Sequence, residues 1–507
     1  MAQTHGPTRR RFLTISGVGI AGAHLAGCGV GGGSAEARRV LEAAFSQPIN
    51  DLDPHGPASV DEATLLACRL IYDTLVLSDG EEIQPNVAES WEQPDETTWI
   101  FHLRDDVRFH DGTPLTARDV RTSIERVRDA GTAQSALWQS VVDFEENDDH
   151  TLTVITEEPL GTMLTSLTVM YVLPADRMEE EGFFQAPVGS GPFQVESFTP
   201  ASELSLTPTS EYWGERSSID GVVLPYVPEI SSQVTSLRTG DLHAMWPVPP
   251  DQLPELQGVD GITLETVPSY VYYFAWFNCG REPFTDPRVR RALRRAVDVD
   301  GIVENLFGDG AAVMTAPVPS AVFGHAAQEP YEYDPERARQ ELAEAGYPDG
   351  FTTSMMWFDA TGPLARELAQ SLISDWAEIG VVVEPQSIEK AEWIQRLNDL
   401  EWDMEMQVNT VTTGDADFAL GRLYTSEANR LGYANEELDE ILGEANRSSD
   451  QDRREELYAK ACQILWDDAV GLFPAELIST YGLRDDVSGF VPAPSNQPDL
   501  RSVALSS

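Results

Sequence analysis

The sequence predicts an α/β protein, and stretches in its second half carry that prediction. "SYVYYFAWFN", residues 269–278, is an aromatic strand, and a helix begins soon afterwards at Pro287. "PLARELAQSLISDWAEIG" has helical spacing and ends at Gly380, directly before the strand "VVVEP". A helix that leads into a buried type of strand is typical of α/β units.

Length and charge narrow the possible functions. The chain of 507 residues is long enough for two or three domains. It has 84 acidic and 34 basic residues, and only Lys390 and Lys460 are lysines. A surface of this sign repels nucleic acid, so no nucleic-acid partner is expected. It suits a medium in which salt screens self-repulsion, which indicates a halophile's exposed, acidic protein whose fold loosens in low salt. An acidic protein of a mesophile is the alternative.

The N-terminus has the pattern of an export signal. Arg9 and Arg10 precede Phe12 and Leu13, as in a twin-arginine (Tat) signal, and the apolar segment 15–26 is too short to span a bilayer. "LAGC", ending at Cys28, resembles a lipobox. We therefore expect a lipoprotein signal over residues 1–28, a lipid on Cys28 and a flexible tether over 29–37. A signal that is simply cleaved is the alternative.

No catalytic or metal motif is present in the sequence. Gly17, Gly19 and Gly22 match the G-x-G-x-x-G pattern of dinucleotide sites, but only a short polar leader precedes them and no strand can form there, so that interpretation is disfavoured. Three cysteines remain after Cys28, and their spacing builds neither a disulfide framework nor a metal site; they are Cys68, Cys279 and Cys462. His102 and His110 flank a predicted hairpin and could meet across it, with a structural pair favoured over metal ligation. We predict no catalytic residues, no cofactor and no metal.

Further elements follow from spacing and caps. Thr116 with Asp119 is a capping-box pattern, and Asp334 precedes a helix that begins at Pro335. The Arg290, Arg291, Arg294 and Arg295 cluster is interpreted as the polar face of an amphipathic helix. Strands are also predicted at 40–46, on both sides of the Asp105-Asp106 turn, at 152–156 and at 191–197, helices at 61–77, 436–446 and 450–467, and an irregular stretch after these.

Several of these stretches, taken together, resemble one family. The family is the family 5 extracellular solute-binding proteins of ABC importers, which includes oligopeptide, dipeptide and nickel receptors. The matching stretches run in the family's order and are "IYDTLV", "IQPNVAESWEQPDETTWIFHLRDDVRFHDGTPLTARDV", "PVGSGPF", "EPFTDPRVRRALRRAVD", "YDPERARQELAEAGYPDGF" and "REELYAKACQILWDDA". Most of these residues fix backbone shape, so they indicate the fold and not the ligand.

The resemblance implies a two-lobed fold of the periplasmic-binding-protein type that closes on its ligand. Lobe I would comprise 38–268 and 475–507, with an extra subdomain at about 59–187, and lobe II would comprise 269–474. The hinge crossings would lie near Pro268 and Pro474. Closure would bury the solute, exclude water and strengthen its hydrogen bonds.

Candidate ligand contacts are aromatic and polar residues expected at the interface between the lobes. Tyr272, Trp276 and Asn278 share one face of their strand by its period of two. In peptide-binding members the stretch that corresponds to "NTVTTGDADFAL" helps to form the cleft, where a carboxylate pairs with the peptide's ammonium group. The remaining candidates are Trp246, Trp357, Asn409, Thr412, Asp415 and Asp417. Core packing is the alternative for the aromatic residues.

Ligand class and partners follow from the resemblance. Alignment places Thr412 at the ammonium-binding position, which disfavours a dipeptide with a free N-terminus unless Asp415 substitutes. No histidine follows His325, which disfavours metal uptake. We expect a monomeric receptor that delivers a peptide or peptide-like solute to an ABC permease and its ATPase. An oligosaccharide receptor, a chemosensory or chaperone-like binding protein, and a secreted hydrolase are the alternatives.

Overall fold

A computed structural model describes residues 38–59, 61–78, 82–358 and 362–506. The predicted signal, tether and Cys28 lie outside these residues. The strands are β1 (Val40–Ala44), β2 (Val76–Ser78), β3 (Ile83–Pro85), β4 (Ala88–Asp95), β5 (Thr98–Leu103), β6 (Val141–Asp148), β7 (Thr151–Thr156), β8 (Phe193–Thr199), β9 (Glu203–Pro208), β10 (Gly221–Pro225), β11 (Ala244–Met245), β12 (Ile262–Phe277), β13 (Ala311–Val313), β14 (Phe351–Phe358), β15 (Val381–Ile388), β16 (Met404–Thr410), β17 (Gly471–Arg484), β18 (Val487–Ser488) and β19 (Ala504–Leu505). The helices are α1 (Glu62–Ile71), α2 (Ala117–Asp129), α3 (Met163–Leu167), α4 (Ile230–Thr239), α5 (Leu253–Leu256), α6 (Pro287–Arg295), α7 (Val299–Phe307), α8 (Pro335–Glu344), α9 (Pro363–Glu378), α10 (Lys390–Asn398), α11 (Ala416–Tyr424), α12 (Glu436–Arg447) and α13 (Gln451–Asp467).

Two long strands hold the main sheet together. β12 and β17 pair antiparallel, and the remaining strands extend the sheet on either side in the order β15-β14-β16-β12-β17-β11-β1-β10-β9-β8. The register between them shifts between Pro268 and Tyr272. A separate four-stranded antiparallel sheet, β4-β5-β7-β6, packs with α2 within the first part of the chain. The α/β prediction is confirmed.

The buried apolar residues form separate hydrophobic cores. β12 and β17 each contribute residues to more than one of them. In β12, Val267 packs with residues of β1, β10 and α1, whereas Tyr270 packs with residues of α11 and α13. In β17, Leu477 packs with the α6–α9 side, whereas Tyr481 packs with the β1 side. Each strand therefore passes from one hydrophobic core to another.

Two sequence predictions about strands are wrong. The stretch after α13 is not irregular, because β17 begins at Gly471 and continues through Pro474 to Arg484. Pro474 lacks an N–H, which obscured the strand pattern. After the Asp105-Asp106 turn there is no second strand either, only an isolated bridge between Arg108 and Pro114.

Most of the predicted helix boundaries are confirmed. The Thr116 backbone N–H donates to Asp119 Oδ2 at 2.8 Å, as a capping box requires. Asp334 caps α8 by accepting from the Arg337 N–H at 2.8 Å. The helix predicted over 61–77 is shorter, because the chain is extended at Tyr72 and leads to β2.

The arginines of α6 are not all on a solvated face. Arg290 and Arg294 are buried, and their guanidinium groups donate to the carbonyl oxygens of Asp468 and Trp466 at the C-terminal end of α13. Arg294 also lies over the Trp466 ring, 4.0 Å from its centroid. Arg291 donates to the neighbouring Asp467 carbonyl at 3.3 Å. Cations at this end of a helix satisfy its free carbonyls, so three of the four arginines have a structural role.

Candidate functional site

A cavity of about 310 Å³ opens between the hydrophobic core around β1 and α1 and the core around α11 and α13. This volume falls in the range of small-molecule sites, roughly 300–1,000 Å³. One wall belongs to the side predicted as lobe I, and the other belongs to the side predicted as lobe II. The first wall consists of Leu65, Arg69, Leu77, Ser78, Gln84, Thr168, Val169, Tyr171, Val491, Pro492, Ala493, Pro494, Ser495, Gln497, Asp499 and Arg501, and the second of Tyr270, Thr412 and Thr413.

The first wall carries the charge of the cavity. Arg501 donates to both carboxylate oxygens of Asp499, with Nε 3.0 Å from Oδ1 and 2.7 Å from Oδ2. Burial acts to raise the pKa of Asp499, but the hydrogen bonds and charge of Arg501, together with the charge of Arg69, hold that pKa below its ordinary value. Asp499 and Arg501 therefore neutralise each other.

Arg69 adds a positive charge to the wall beyond the Asp499–Arg501 ion pair. It lies in the last turn of α1, whose other residues are mostly buried and apolar. Within the described part of the chain its guanidinium makes no hydrogen bond or ion pair. In a chain of net charge −50, this wall thus presents a cation that is available to a ligand.

The second wall is neutral. Tyr270 closes the turn at 411–414, because its carbonyl accepts from the Val411 N–H at 3.0 Å and its hydroxyl lies against Gly414. Gly414 has φ of +70°, and a side chain there would also meet the Tyr270 hydroxyl. Thr412 and Thr413 are presented to the cavity from this turn. This wall offers hydroxyl groups and an aromatic ring.

The segment 491–501 forms much of the first wall and is held from behind. Trp246 Nε1–H donates to the Asn496 carbonyl at 3.0 Å, and the Tyr481 hydroxyl donates to the Ala493 carbonyl at 2.7 Å. The Pro494 carbonyl accepts from the Tyr270 N–H at 3.0 Å. The segment is therefore hydrogen-bonded to both β12 and β17, at the places where these strands pass from one core to another.

Of the predicted site residues, Thr412 is the one that lines this cavity. Trp246 is buried, does not line the cavity, and bonds the carbonyl of Asn496 between the lining residues Ser495 and Gln497. Tyr272, Trp276 and Trp357 lie in the hydrophobic cores.

Asn278 and Asn409 donate hydrogen bonds to residues of the core around α11 and α13, or next to it. The Asn278 amide donates to the carbonyls of Leu400 and Trp402. The Asn409 amide donates to the Tyr272 hydroxyl at 3.2 Å.

The two predicted acidic contacts lie at the start of α11. Both oxygens of Asp415 accept from Arg454 Nη2, at 2.8 and 2.7 Å, and this ion pair is buried. Asp417 accepts from the Asn446 amide, and burial together with the charge of Asp415 raises the pKa of Asp417 to about 6. A solute ammonium group at Asp415 would have to compete with the guanidinium, so the predicted role of these residues in ligand binding stays a prediction.

Sequence reasoning missed Arg69, Asp499 and Arg501. One signal for Arg69 was available, since a single basic residue in an otherwise apolar helix of an acidic chain needs a reason. "PSNQPDLR" carried no comparable signal, because its shape depends on Trp246 and Tyr481, which are more than 10 residues away.

The histidines do not form a metal site in the described residues. His102 lies 3.3 Å from Glu92, and His110 bonds the Gly191 carbonyl, so the predicted meeting of the two histidines is wrong. No group of three metal-binding side chains occurs in the described ranges. Cys68, Cys279 and Cys462 are free thiols there. Among the helices of the same residues, none is long and apolar enough to cross a bilayer.

Comparisons with known proteins agree with this geometry. The family "Bacterial extracellular solute-binding proteins, family 5 Middle" matches residues 82–430. The glutathione-binding protein GsiB of Escherichia coli K12 is 26% identical over 497 residues, which cover 93% of this chain and 94% of that protein. Heme-binding protein A of Haemophilus influenzae is 28% identical over 491 residues, 86% of this chain and 88% of that protein.

Solved structures share the two-lobed fold. HbpA2 from Haemophilus parasuis superposes with a TM-score of 0.83 at 25% identity, covering 92% of this chain and 100% of that one. DppA from Helicobacter pylori, in complex with the peptide STSA, gives a TM-score of 0.79 at 26% identity, covering 93% and 99%. These relatives bind solutes for transporters and are not enzymes. The chain belongs to the extracellular solute-binding proteins of family 5, the extracytoplasmic receptors of ABC importers.

Proposed function

We propose that this receptor captures a peptide or peptide-like solute through a carboxylate group and delivers it to its permease. Arg69 carries the proposal, because it is a cation on the cavity wall whose guanidinium makes no hydrogen bond or ion pair among the described residues, while Asp499, the carboxylate that senses its charge, is already paired with Arg501. A guanidinium matches a carboxylate in both charge and geometry. Tyr270, Thr412 and Thr413 on the facing wall would hydrogen-bond and pack against the rest of the solute.

The names of the relatives support the same chemistry. Glutathione and the peptide STSA are peptides with free carboxylates, and heme carries two propionates. These ligands differ in size and shape but share a carboxylate. A cationic cavity wall is therefore compatible with each of these classes.

Binding to Arg69 is tested with a matched pair of probes. Trialanine, glutathione and trialanine amide are titrated calorimetrically in high salt into the wild-type chain and into Arg69→Gln. We expect trialanine or glutathione to bind the wild type, with about a 10- to 100-fold weaker interaction in Arg69→Gln, as the loss of a charge-assisted hydrogen bond predicts. The amide should bind weakly to both proteins.

Arg118→Gln is the control, because Arg118 is a surface arginine paired with Asp176. Its affinity for each probe should equal that of the wild type. Equal affinities of the wild type for trialanine and its amide would contradict the proposal. Tight binding of maltotriose that is insensitive to Arg69→Gln would instead support the oligosaccharide alternative.

We further propose that the lobes comprise 38–268 with 475–507, and 269–474, and that they rotate about β12 and β17. The changes of core between Val267 and Tyr270, and between Leu477 and Tyr481, support one hinge crossing in each strand, the second lying a few residues after Pro474. Because the same two strands support segment 491–501 and Tyr270, a rotation there would open both walls of the cavity.

Anchoring is proposed from the N-terminal sequence alone. Arg9 and Arg10 would direct Tat export, and Cys28 would carry a lipid that holds the monomeric receptor at the outer face of the membrane. Fractionation of cells that express Cys28→Ala should move the protein from the membrane to the soluble extracytoplasmic fraction. An unchanged distribution would favour a signal that is simply cleaved.

A further inference from the structure

A second contact joins the two sides of the cleft away from the cavity wall. The Gly161 N–H, in the turn before α3, donates to the Asn446 carbonyl near the end of α12 at 2.7 Å. Four residues later, Thr165 Oγ1 donates to Asp415 Oδ2 at 3.3 Å. Gly161 and Thr165 belong to the proposed lobe I, whereas Asn446 and Asp415 belong to the proposed lobe II.

Gly161 allows the two backbones to approach this closely. A Cβ at this position would overlap the carbonyl oxygen of Ser448, the C-cap residue that follows α12. The φ of Gly161 is not in the left-handed region, so its lack of a side chain is needed for the contact and not for the local backbone. The position thus requires glycine only while the two lobes touch.

The lobe II side of the contact is rigid. Asp415 is 3% exposed, caps α11 and is held by Arg454 and the Tyr458 hydroxyl. Thr165 adds a further donor to this buried carboxylate. A charged group that is already fixed in place loses little freedom when another hydrogen bond forms.

Both sides of the contact continue directly into the cavity wall. Thr168 and Val169 follow α3 on one side, and Thr412 and Thr413 precede Asp415 on the other. A solute that touches both walls would therefore bring Thr165 to Asp415 and Gly161 to Asn446. We infer that Gly161, Thr165, Asp415, Asn446 and Ser448 form a latch between the lobes, which closes together with the solute cavity and slows solute release.

The latch contact itself is independent of the proposed function, and only its coupling to solute rests on that proposal. Gly161→Ala is the test, since one methyl group blocks the contact without straining the local backbone. Gly443→Ala in α12 is the matched control, because its added methyl would meet only the flexible Arg447 guanidinium. X-ray scattering of each full-length chain is recorded in high salt, first without solute and then with saturating trialanine and glutathione.

In at least one of these conditions, we expect the radius of gyration of Gly161→Ala to be larger than that of the wild type and larger than that of the control Gly443→Ala. Its affinity for whichever probe binds should fall about tenfold, mainly through faster dissociation. Scattering profiles identical to the wild type in every condition would overturn the latch, whether or not a probe binds. An expanded Gly161→Ala with unchanged affinity would overturn the coupling to solute.

Thr165→Val covers the case in which Gly161→Ala fails to fold. It removes the hydrogen bond to Asp415 while keeping the size of the side chain. We expect the wild-type melting temperature within a few degrees and a dissociation rate raised severalfold, measured by competition with labelled trialanine. If neither probe binds, an unchanged scattering profile of Thr165→Val overturns the latch.

Discussion

The aromatic segment 272–277 of β12 and the segment 491–501 contrast in composition and in position. The first contains four aromatic residues that are wholly buried, Tyr272, Phe274, Trp276 and Phe277, and it contributes to two hydrophobic cores. The second is rich in proline and polar residues and lines the cavity. The difference teaches that in this chain the conspicuous aromatic residues stabilise the lobe, whereas a segment without regular structure shapes the site.

The largest effect is expected at Trp276, where a substitution tests whether the buried aromatic residues stabilise the fold or bind the ligand. Its ring is fully buried 4.5 Å from the Phe274 ring centroid, and its Nε1–H donates to the Tyr424 hydroxyl at 3.1 Å. Trp276→Ala should lower the free energy of unfolding by about 3–5 kcal/mol, measured by urea denaturation in high salt. Trp276→Phe should cost less and leave trialanine affinity unchanged; lost affinity with unchanged stability would make Trp276 a ligand contact.

An intermediate effect is expected at Glu405, which pairs with Trp276 across β12 and β16. Glu405 is wholly buried, and burial raises its pKa to about 8 despite hydrogen bonds from the side chains of Trp393 and Gln407. Above its ordinary pKa of 4.5 the carboxyl group ionises in the unfolded chain while the folded chain keeps the proton. The contribution of Glu405 to the free energy of unfolding therefore decreases as pH rises from 4.5 to 8.

Glu405→Gln should remove this dependence. Melting curves in high salt should show the variant to be more stable than the wild type at pH 8, with the difference disappearing near pH 4.5. A variant that is less stable at pH 8 would show that the carboxylate is ionised and stabilising in the fold.

The smallest effect sharpens the other side of the contrast. Trp246→Phe removes the hydrogen bond to the Asn496 carbonyl and so releases one anchor of segment 491–501. We expect a loss of about 1 kcal/mol in stability and a severalfold weaker trialanine affinity by calorimetry. Trp376→Phe, which loses a comparable bond to the Leu293 carbonyl in the proposed lobe II, should lose stability without losing affinity.

Local rules predicted much of the fold. Helix starts at Thr116 and Asp334 depend on residues three positions apart, so they could be predicted without tertiary contacts. β17 could not, because Pro474 interrupts the pattern and the strand is defined by its pairing with β12. Arg290 and Arg294 looked like a solvated face, and only the distant end of α13 explains their burial.

The site was less predictable than the fold for the same reason. Thr412 was found because it lies in a stretch that resembles the family's cleft. Arg69 and Arg501 belong to the wall only through contacts between residues more than 400 positions apart in the chain, such as the influence of Arg69 on Asp499. No local spacing encodes such a juxtaposition.

The place of segment 491–501 in the chain also orders events during synthesis. The ribosome makes these residues after every other residue that lines the cavity, so a nascent receptor has the facing wall before it has a complete pocket. A protease that cuts between β17 and Val491 would remove Arg501 and its neighbours while sparing the strand. Such a clipped receptor would keep Arg69 but lose most of the wall around it, together with the buried Leu500 and Val503.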